Sequence, residues 1–346
     1  MAGTLRLPRT RRTLHHAARL QPGPWRWWAG LRAALAIGVP LLLGTLWGHQ
    51  DLGLVAGMGG FTALYGTDRS RRGQWLLLPW VAIGLVLSAA AGAFLGGAGW
   101  TTALALTAIS AVAGTLAWGF RIGVPGALLF VLVAAISAHA SNTLPPLHIP
   151  LLVMAGAAVA SLAIMLVALL RNAPAANVPE PPVQFTWDRS VRRNVGRITA
   201  GVAVACLVSG CFEAFRLHWV VVTALAILQG AQDRSFTVVR VVQRISGTLL
   251  GLGLFQAILV LRPEGMELVL VIMLLQLGIE VVIMRNYVLG LLFITPLALS
   301  LASFGQGMAP AATSIGRLHD TLLGAGVALI VLLVLEIKRR MPRSAT

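Results

Sequence analysis

The chain has 346 residues, 57% of them hydrophobic and only 11% charged, which is more apolar surface than a water-facing globule can cover with polar side chains. That composition assigns it to a bilayer. Lys and Arg number 27 against 11 Asp and Glu, a net charge of +16. The arginines alternate with long apolar runs instead of forming one basic face, which disfavours nucleic acid and favours anionic lipid headgroups or an anionic solute as partner.

Residues 1–29 carry Arg6, Arg9, Arg11, Arg12, Arg19 and Arg26. Thr10 to Leu14 resembles a twin-arginine export signal, but the apolar run begins only near Leu31 and no small-residue cleavage site follows, so the segment reads as a cytoplasmic basic arm. A helix needs about 20 residues to cross the hydrocarbon. Twelve stretches meet or approach that length, at 30–48, 51–66, 74–97, 100–119, 122–138, 149–170, 196–213, 217–231, 243–261, 266–284, 287–304 and 318–337. The stretches 51–66 and 217–231 are the weakest, being short. Between the sixth and seventh lies 171–195, where Pro174, Pro179, Pro181 and Pro182 mark a polar linker. The expected organisation is an all-α, polytopic membrane protein: a first six-helix half at 30–170, a cytoplasmic linker, a second half at 196–337 and a cytoplasmic tail at 338–346.

Placing the amino terminus inside makes the connections alternate, and of the 27 cations only Arg216, Arg262 and Arg317 then fall outside. Both termini are expected in the cytoplasm of an inner-membrane protein. Tryptophans cluster at span ends, where indoles favour the headgroup level. A shift of 165 positions aligns Arg32 with Arg197, and Asp68-Arg69-Ser70 with Asp233-Arg234-Ser235; a shift of 164 aligns Arg121 with Arg285 and Gly126 with Gly290. Six spans per half is an even number, so two parallel repeats related by an axis along the membrane normal are expected.

Arg240, Arg244, Gly247 and Gly251 are spaced four, three and four, and share one helical face. Guanidinium holds a carboxylate in bidentate fashion and keeps its charge, which suits an anion-selective vestibule. Together with Arg285, Arg121, Arg32 and Arg197 these arginines are the candidate substrate pathway, anchoring to inner-leaflet headgroups being the plain alternative for Arg240. Gly84, Ser88, Gly92 and Gly96 form a ridge of small residues suited to close helix packing. Asp68-Arg69 and Asp233-Arg234 are candidates for gating or for helix capping. Glu280 is the deepest acid and a candidate for proton coupling, or for pairing with Arg285 or Arg244. Arg317 and Asp320, three apart, read as a local pair. Pro40, Pro125 and Pro296 interrupt spans, the last two in corresponding places of the two halves.

Five of the seven histidines fall at outer span ends, a surface placement. Cys206 and Cys211 are too far around a helix to bridge, and no Cys/His spacing suggests a metal site, so neither a metal nor a cofactor is expected. No phosphate-cradling Gly-x-x-x-x-Gly-Lys motif is present, and no nucleophile, base and orienter stand at suggestive spacings, so ATP drive and an enzyme are disfavoured.

The stretch Arg240-Val-Val-Gln-Arg244-Ile-Ser-Gly247-Thr248-Leu-Leu-Gly251, then Arg285-Asn-Tyr287 ahead of Phe293-Ile-Thr295-Pro296, then Arg317-Leu-His-Asp320-Thr321-Leu-Leu-Gly324, resembles the fusaric acid resistance, or aromatic acid exporter, family of membrane transporters. The resemblance is most specific over 195–336. It implies efflux of small organic anions, aromatic or other carboxylates, along a basic pathway; a passive anion channel and a non-transporting scaffold for envelope assembly are the alternatives. Self-association into a homo-oligomer is compatible with the sequence.

Overall fold

The computed structural model describes residues 20–23, 25–96, 99–170, 184–211, 217–230, 234–306 and 310–340, and the side chains of all of these except 234–236, 302–306, 310–312 and 336–340. Twelve helices and no strand occur among the described residues. They are α1 (Trp27–Leu46), α2 (Gln50–Gly57) with the 3-10 segment Met58–Leu64 continuing it, α3 (Arg71–Leu95), α4 (Gly99–Gly119), α5 (Leu128–Ala140), α6 (His148–Leu170), α7 (Arg189–Gly210), α8 (Leu217–Gly230), α9 (Arg234–Leu261), α10 (Gly265–Val282), α11 (Tyr287–Gln306) and α12 (Pro310–Arg340).

Each of the twelve apolar stretches contains one helix, yet among the described residues only seven are long and apolar enough to cross a membrane: α1, α3, α4, α6, α10, and the parts Thr237–Leu261 of α9 and Thr313–Leu335 of α12. Of the twelve crossings expected, seven thus have a helix of the length and composition of a span among the described residues. For α2, α5, α7 and α8 the limit is length or polarity, whereas α11 has 20 residues, of which Tyr287–Leu301 have described side chains. The 13 residues of α5 and the 14 of α8 reach only about 20 Å at 1.5 Å per residue, short of the roughly 30 Å of hydrocarbon. Helix α2 has 8 residues, and α7 starts on Arg189, Arg192 and Arg193, inside the stretch read as linker.

The short helices lie inside the bundle. Helix α8 buries Trp219, Val220, Val221, Val222, Thr223, Ala224, Leu225, Ile227 and Leu228, the all-round burial of a core helix. It packs on α7 and α12, and more lightly on α5 and α9. Helix α3 packs on α5, α9 on α11, α1 on α10, and α4 on α7; α2 and its 3-10 continuation sit against α1 and α6. Most of the buried apolar side chains form one continuous core, with a second, smaller cluster where α1, α10 and α11 meet.

Small residues set these approaches. The ridge expected on α3 is a packing seam: a Cβ on Gly92 would overlap the Ala134 backbone, and one on Gly96 would lie 2.7 Å from the Ala138 Cα. Gly247 and Gly251 do the same for α9 against Leu291 and Thr295 of α11. Close backbone approach of this kind is the membrane substitute for a hydrophobic driving force between helices.

Pro40 and Pro296 lie within unbroken helices, so these prolines do not interrupt their spans as expected. Pro125 does, in the turn between α4 and α5, where Gly126 takes φ 62°. The side chain of Gln229 supports that turn from α8: Nε2 donates to the Pro125 carbonyl at 2.5 Å and Oε1 accepts from the Ala127 amide at 3.1 Å. Irregular backbone at this depth is tolerated when protein groups satisfy it.

Helix ends gather at one face. Arg69 donates to the Arg121 carbonyl at 3.1 Å, Arg71 to the Ala168 carbonyl at 2.7 Å, and the Thr186 amide to the Gly119 carbonyl at 3.0 Å. On this face Ser70 caps α3 by accepting from the Gly73 amide, and Asp188 caps α7 by accepting from the Val191 amide at 2.8 Å. Hydrogen bonds from the Ser190 hydroxyl and the Val191 amide hold the Asp188 carboxyl below its ordinary pKa. A depressed carboxylate stabilises the folded form above its unfolded pKa, and that contribution disappears as pH falls through the lower, folded value. Asp188→Ala should therefore speed amide exchange at 189–193 near neutral pH and leave it unchanged at strongly acidic pH.

Candidate functional site

Four helices of the second half bring a polar cluster into the apolar interior. Arg244 of α9, only 3% exposed, donates from Nη1 to the Tyr287 hydroxyl at 3.0 Å and from Nη2 to the Thr223 hydroxyl at 3.3 Å. One turn earlier the half-buried Arg240 lies over the Tyr287 ring, its Cζ 4.4 Å from the centroid. Arg317 of α12 is 1% exposed and is the largest fully buried side chain among the described residues. Its Cζ stands 4.1 Å over the Trp219 ring of α8, one turn from Thr223.

Two of these cations, Arg244 and Arg317, keep unpartnered N–H groups among the described residues. Nε and Nη1 of Arg317, and Nε of Arg244, have no hydrogen-bond partner among the described residues. The Trp219 indole N–H and the hydroxyls of Thr248 and Thr295 are buried in the same state. Arg244, Asp320 and Tyr287 all lie within electrostatic reach of Arg317, and Asp320 is the carboxylate among them. Among the described residues two guanidiniums face one carboxylate, which away from water is an expensive arrangement unless an anion completes it. Arg317 and Asp320, expected as a local pair at an outer helix end, are both buried inside the bundle, with the Asp320 carboxylate within electrostatic reach of the guanidinium.

The other expected pathway arginines lie elsewhere. Arg32 is buried in α1, where Nη2 donates to the carbonyls of Ala63 and Tyr65 and Nη1 reaches the Gln74 side chain at 3.4 Å. It satisfies the carbonyl end of the 3-10 segment, while its Nε, like those of Arg197 and Arg285, is buried with no hydrogen-bond partner among the described residues. Arg197 is buried on α7 with Nη2 3.4 Å from Asn194. Arg121 is exposed, in a turn with φ 51°. Arg285 stacks on Trp25 at 4.1 Å, and its carbonyl accepts from the Gln21 amide at 2.8 Å. The sequence thus anticipated Arg240 and Arg244 as neighbours and missed Arg317. Its depth, seven residues into a helix that begins at Pro310, was the available signal.

A second cluster sits where the segment before α1 meets the turn before α3 and the end of α10. Arg26 donates to the Thr67 hydroxyl, and its Nη2 and Nη1 lie 3.8 Å from Asp68 and 3.9 Å from Glu280. Glu280, 8% exposed, therefore pairs with neither Arg285 nor Arg244, the partners expected for it. Asp68 is largely exposed and Arg69 serves the Arg121 carbonyl. Asp233 and the side chain of Arg234 lie outside the described residues.

The geometry defines a multi-pass helical membrane protein with a cationic interior. Residues 199–331 match the family described as fusaric acid resistance protein-like, which upholds the resemblance over the half that holds Arg244 and Arg317. The chain is 36% identical over 121 residues to the uncharacterized membrane protein YvaC of Bacillus subtilis, covering 35% of this chain and 19% of that one. It is 31% identical over 145 residues to an uncharacterized protein of Haemophilus influenzae, covering 42% and 20%. The chain thus spans about a fifth of the length of these relatives. No solved structure matches it significantly.

Proposed function

We propose that the protein is a membrane transporter of small organic anions, which it recognises by a carboxylate at Arg244 and Arg317. The observation that carries this reading is a pair of buried guanidiniums with unsatisfied N–H groups in a bilayer-spanning bundle. An anion entering between α8, α9 and α12 would gain the fork of Arg317, the free edge of Arg244 and the Trp219 N–H. Trp219 also offers an aromatic face, which favours aromatic carboxylates. Efflux is the direction the family resemblance favours.

The proposal includes two parallel six-helix repeats, α1–α6 and α7–α12. Corresponding helix pairs make corresponding contacts. Helix α3 on α5 matches α9 on α11, α1 on α2 matches α7 on α8, α2 on α6 matches α8 on α12, and the joint of α4 with α7 matches that of α10 with α1. The glycines agree: Gly156 meets the Ala56 carbonyl in one half, and Gly324 meets the Val220 carbonyl in the other. The face that gathers Arg26, Asp68, Glu280 and Arg71 is the cytoplasmic one, with both termini on that side.

The test is flux of organic anions through reconstituted protein, with and without an imposed pH difference. Accumulation against a gradient that needs the pH difference identifies a proton-coupled exporter; flux that only follows the anion gradient identifies a passive channel. Under coupling through Glu280, Glu280→Gln should abolish accumulation while downhill exchange persists. Unchanged accumulation assigns Glu280 to its structural bond with Arg26. Absence of flux for every anion tried would overturn the transporter reading.

A further inference from the structure

The face opposite the Arg26 cluster holds a feature that the anion site does not use. His139, in the last turn of α5, and His218, in the first turn of α8, come from segments 79 positions apart and bring their rings to a centroid separation of 5.9 Å, tilted by 38°. Both line a cavity of about 270 Å³ together with Thr102, Asn142, Gly96, Ala135, Ala138 and Leu217. No lysine or arginine lines it, although the chain carries 27 of them.

We propose that His139 and His218 form a binding site for a divalent transition-metal ion, of the zinc, nickel or copper type. Imidazole is the side chain these ions prefer at neutral pH. Two imidazoles on one ion, each with a metal–nitrogen bond of about 2.0–2.1 Å, hold their ring centroids on the order of 5–6 Å apart, and the observed 5.9 Å falls inside that span. The cavity leaves room for water on the ion's remaining positions, and Asn142 and Thr102 supply neutral oxygens near them. Only two protein ligands are committed, so the site is exchangeable and of modest affinity, suited to sensing an outer ion more than to holding a structural one. A bound ion would tie α5 to α8 and so join the two halves at this face. It would also touch the anion site, because the His218 ring packs on Trp219 at 4.8 Å, and Trp219 carries Arg317 on its other contact.

The experiment is calorimetric titration of the full chain in detergent, with any polyhistidine tag removed, using Zn²⁺ and Ni²⁺, together with electron paramagnetic resonance of the Cu²⁺ form. The expected result is saturable binding of one ion per chain in the micromolar range and a Cu²⁺ spectrum with two nitrogen ligands. Both His139→Gln and His218→Gln should weaken binding about tenfold or more, while His49→Gln leaves it unchanged. Binding that survives both substitutions, or no saturable binding by a chain whose melting transition is intact, would overturn the site. None of these readouts depends on anion transport, so the site and the proposed function can fail separately.

Discussion

Replacing Arg317 by methionine is expected to abolish anion flux while leaving the protein as stable as the parent, or more so. The two halves of this expectation have the same cause. A guanidinium buried at 1% exposure, with Nε and Nη1 unpartnered among the described residues, has lost hydration that its stack on Trp219 and the nearby Asp320 carboxylate replace only in part. Substituting buried charge by an apolar side chain of similar volume is commonly neutral or stabilising by about 1–4 kcal/mol. An anion that relied on that guanidinium loses a desolvated, charge-assisted contact of about 2–5 kcal/mol, which is roughly thirtyfold or more in apparent affinity. Arg317→Lys should be intermediate, since lysine keeps the charge but lacks the planar fork. The opposite pattern assigns Arg317 to structure. A loss of stability on the order of 3–5 kcal/mol, from an abandoned Asp320 carboxylate, with normal flux per folded molecule, would remove it from the anion site. Thermal melts in detergent, paired with flux normalised to folded protein, distinguish the two.

Gly324→Leu is expected to prevent folding or to lower stability at or beyond the upper end of the usual overpacking range of about 1–3 kcal/mol. A Cβ there would stand 2.7 Å from the Val220 carbonyl and 2.8 Å from the Thr223 Cβ. Both belong to the central helix α8, and Thr223 is the group that receives Arg244. Backbone cannot step aside as a flexible side chain can, so α12 must withdraw from α8 and take Arg317 with it. The control lies two residues away. Gly326 has nothing within 4 Å of an added Cβ, and Gly326→Leu should be tolerated or gain up to about 1 kcal/mol from helix propensity. Size-exclusion profiles and melting temperatures of the two variants read this directly; equal behaviour would refute the close approach of α12 to α8.

The expected positions of the twelve helices follow from apolar runs alone, because in a bilayer every backbone group must be satisfied within its own segment and a long apolar stretch has no other choice than helix. The packing ridge Gly84-Ser88-Gly92-Gly96 was legible for a similar reason: small residues at four-residue steps have one common use. Arg240 and Arg244 were legible as neighbours because the helix period puts them on one face.

What only the tertiary structure decided is which of these features meet. Composition cannot distinguish Gly324 from Gly326, because the difference is the helix on the far side. It cannot give Arg26 to Glu280, or His139 to His218, since no local period connects residues from separate helices. It also gives Arg32 and Arg244 the same weight, although one donates to the carbonyls that end the 3-10 segment and the other to the hydroxyls of Tyr287 and Thr223. A hydrophobic sequence marks which segments become helices, through transfer energies that act residue by residue. The depth, pairing and residual charge of the buried arginines arise from how the segments pack, and those contacts are set by partners far away in the chain.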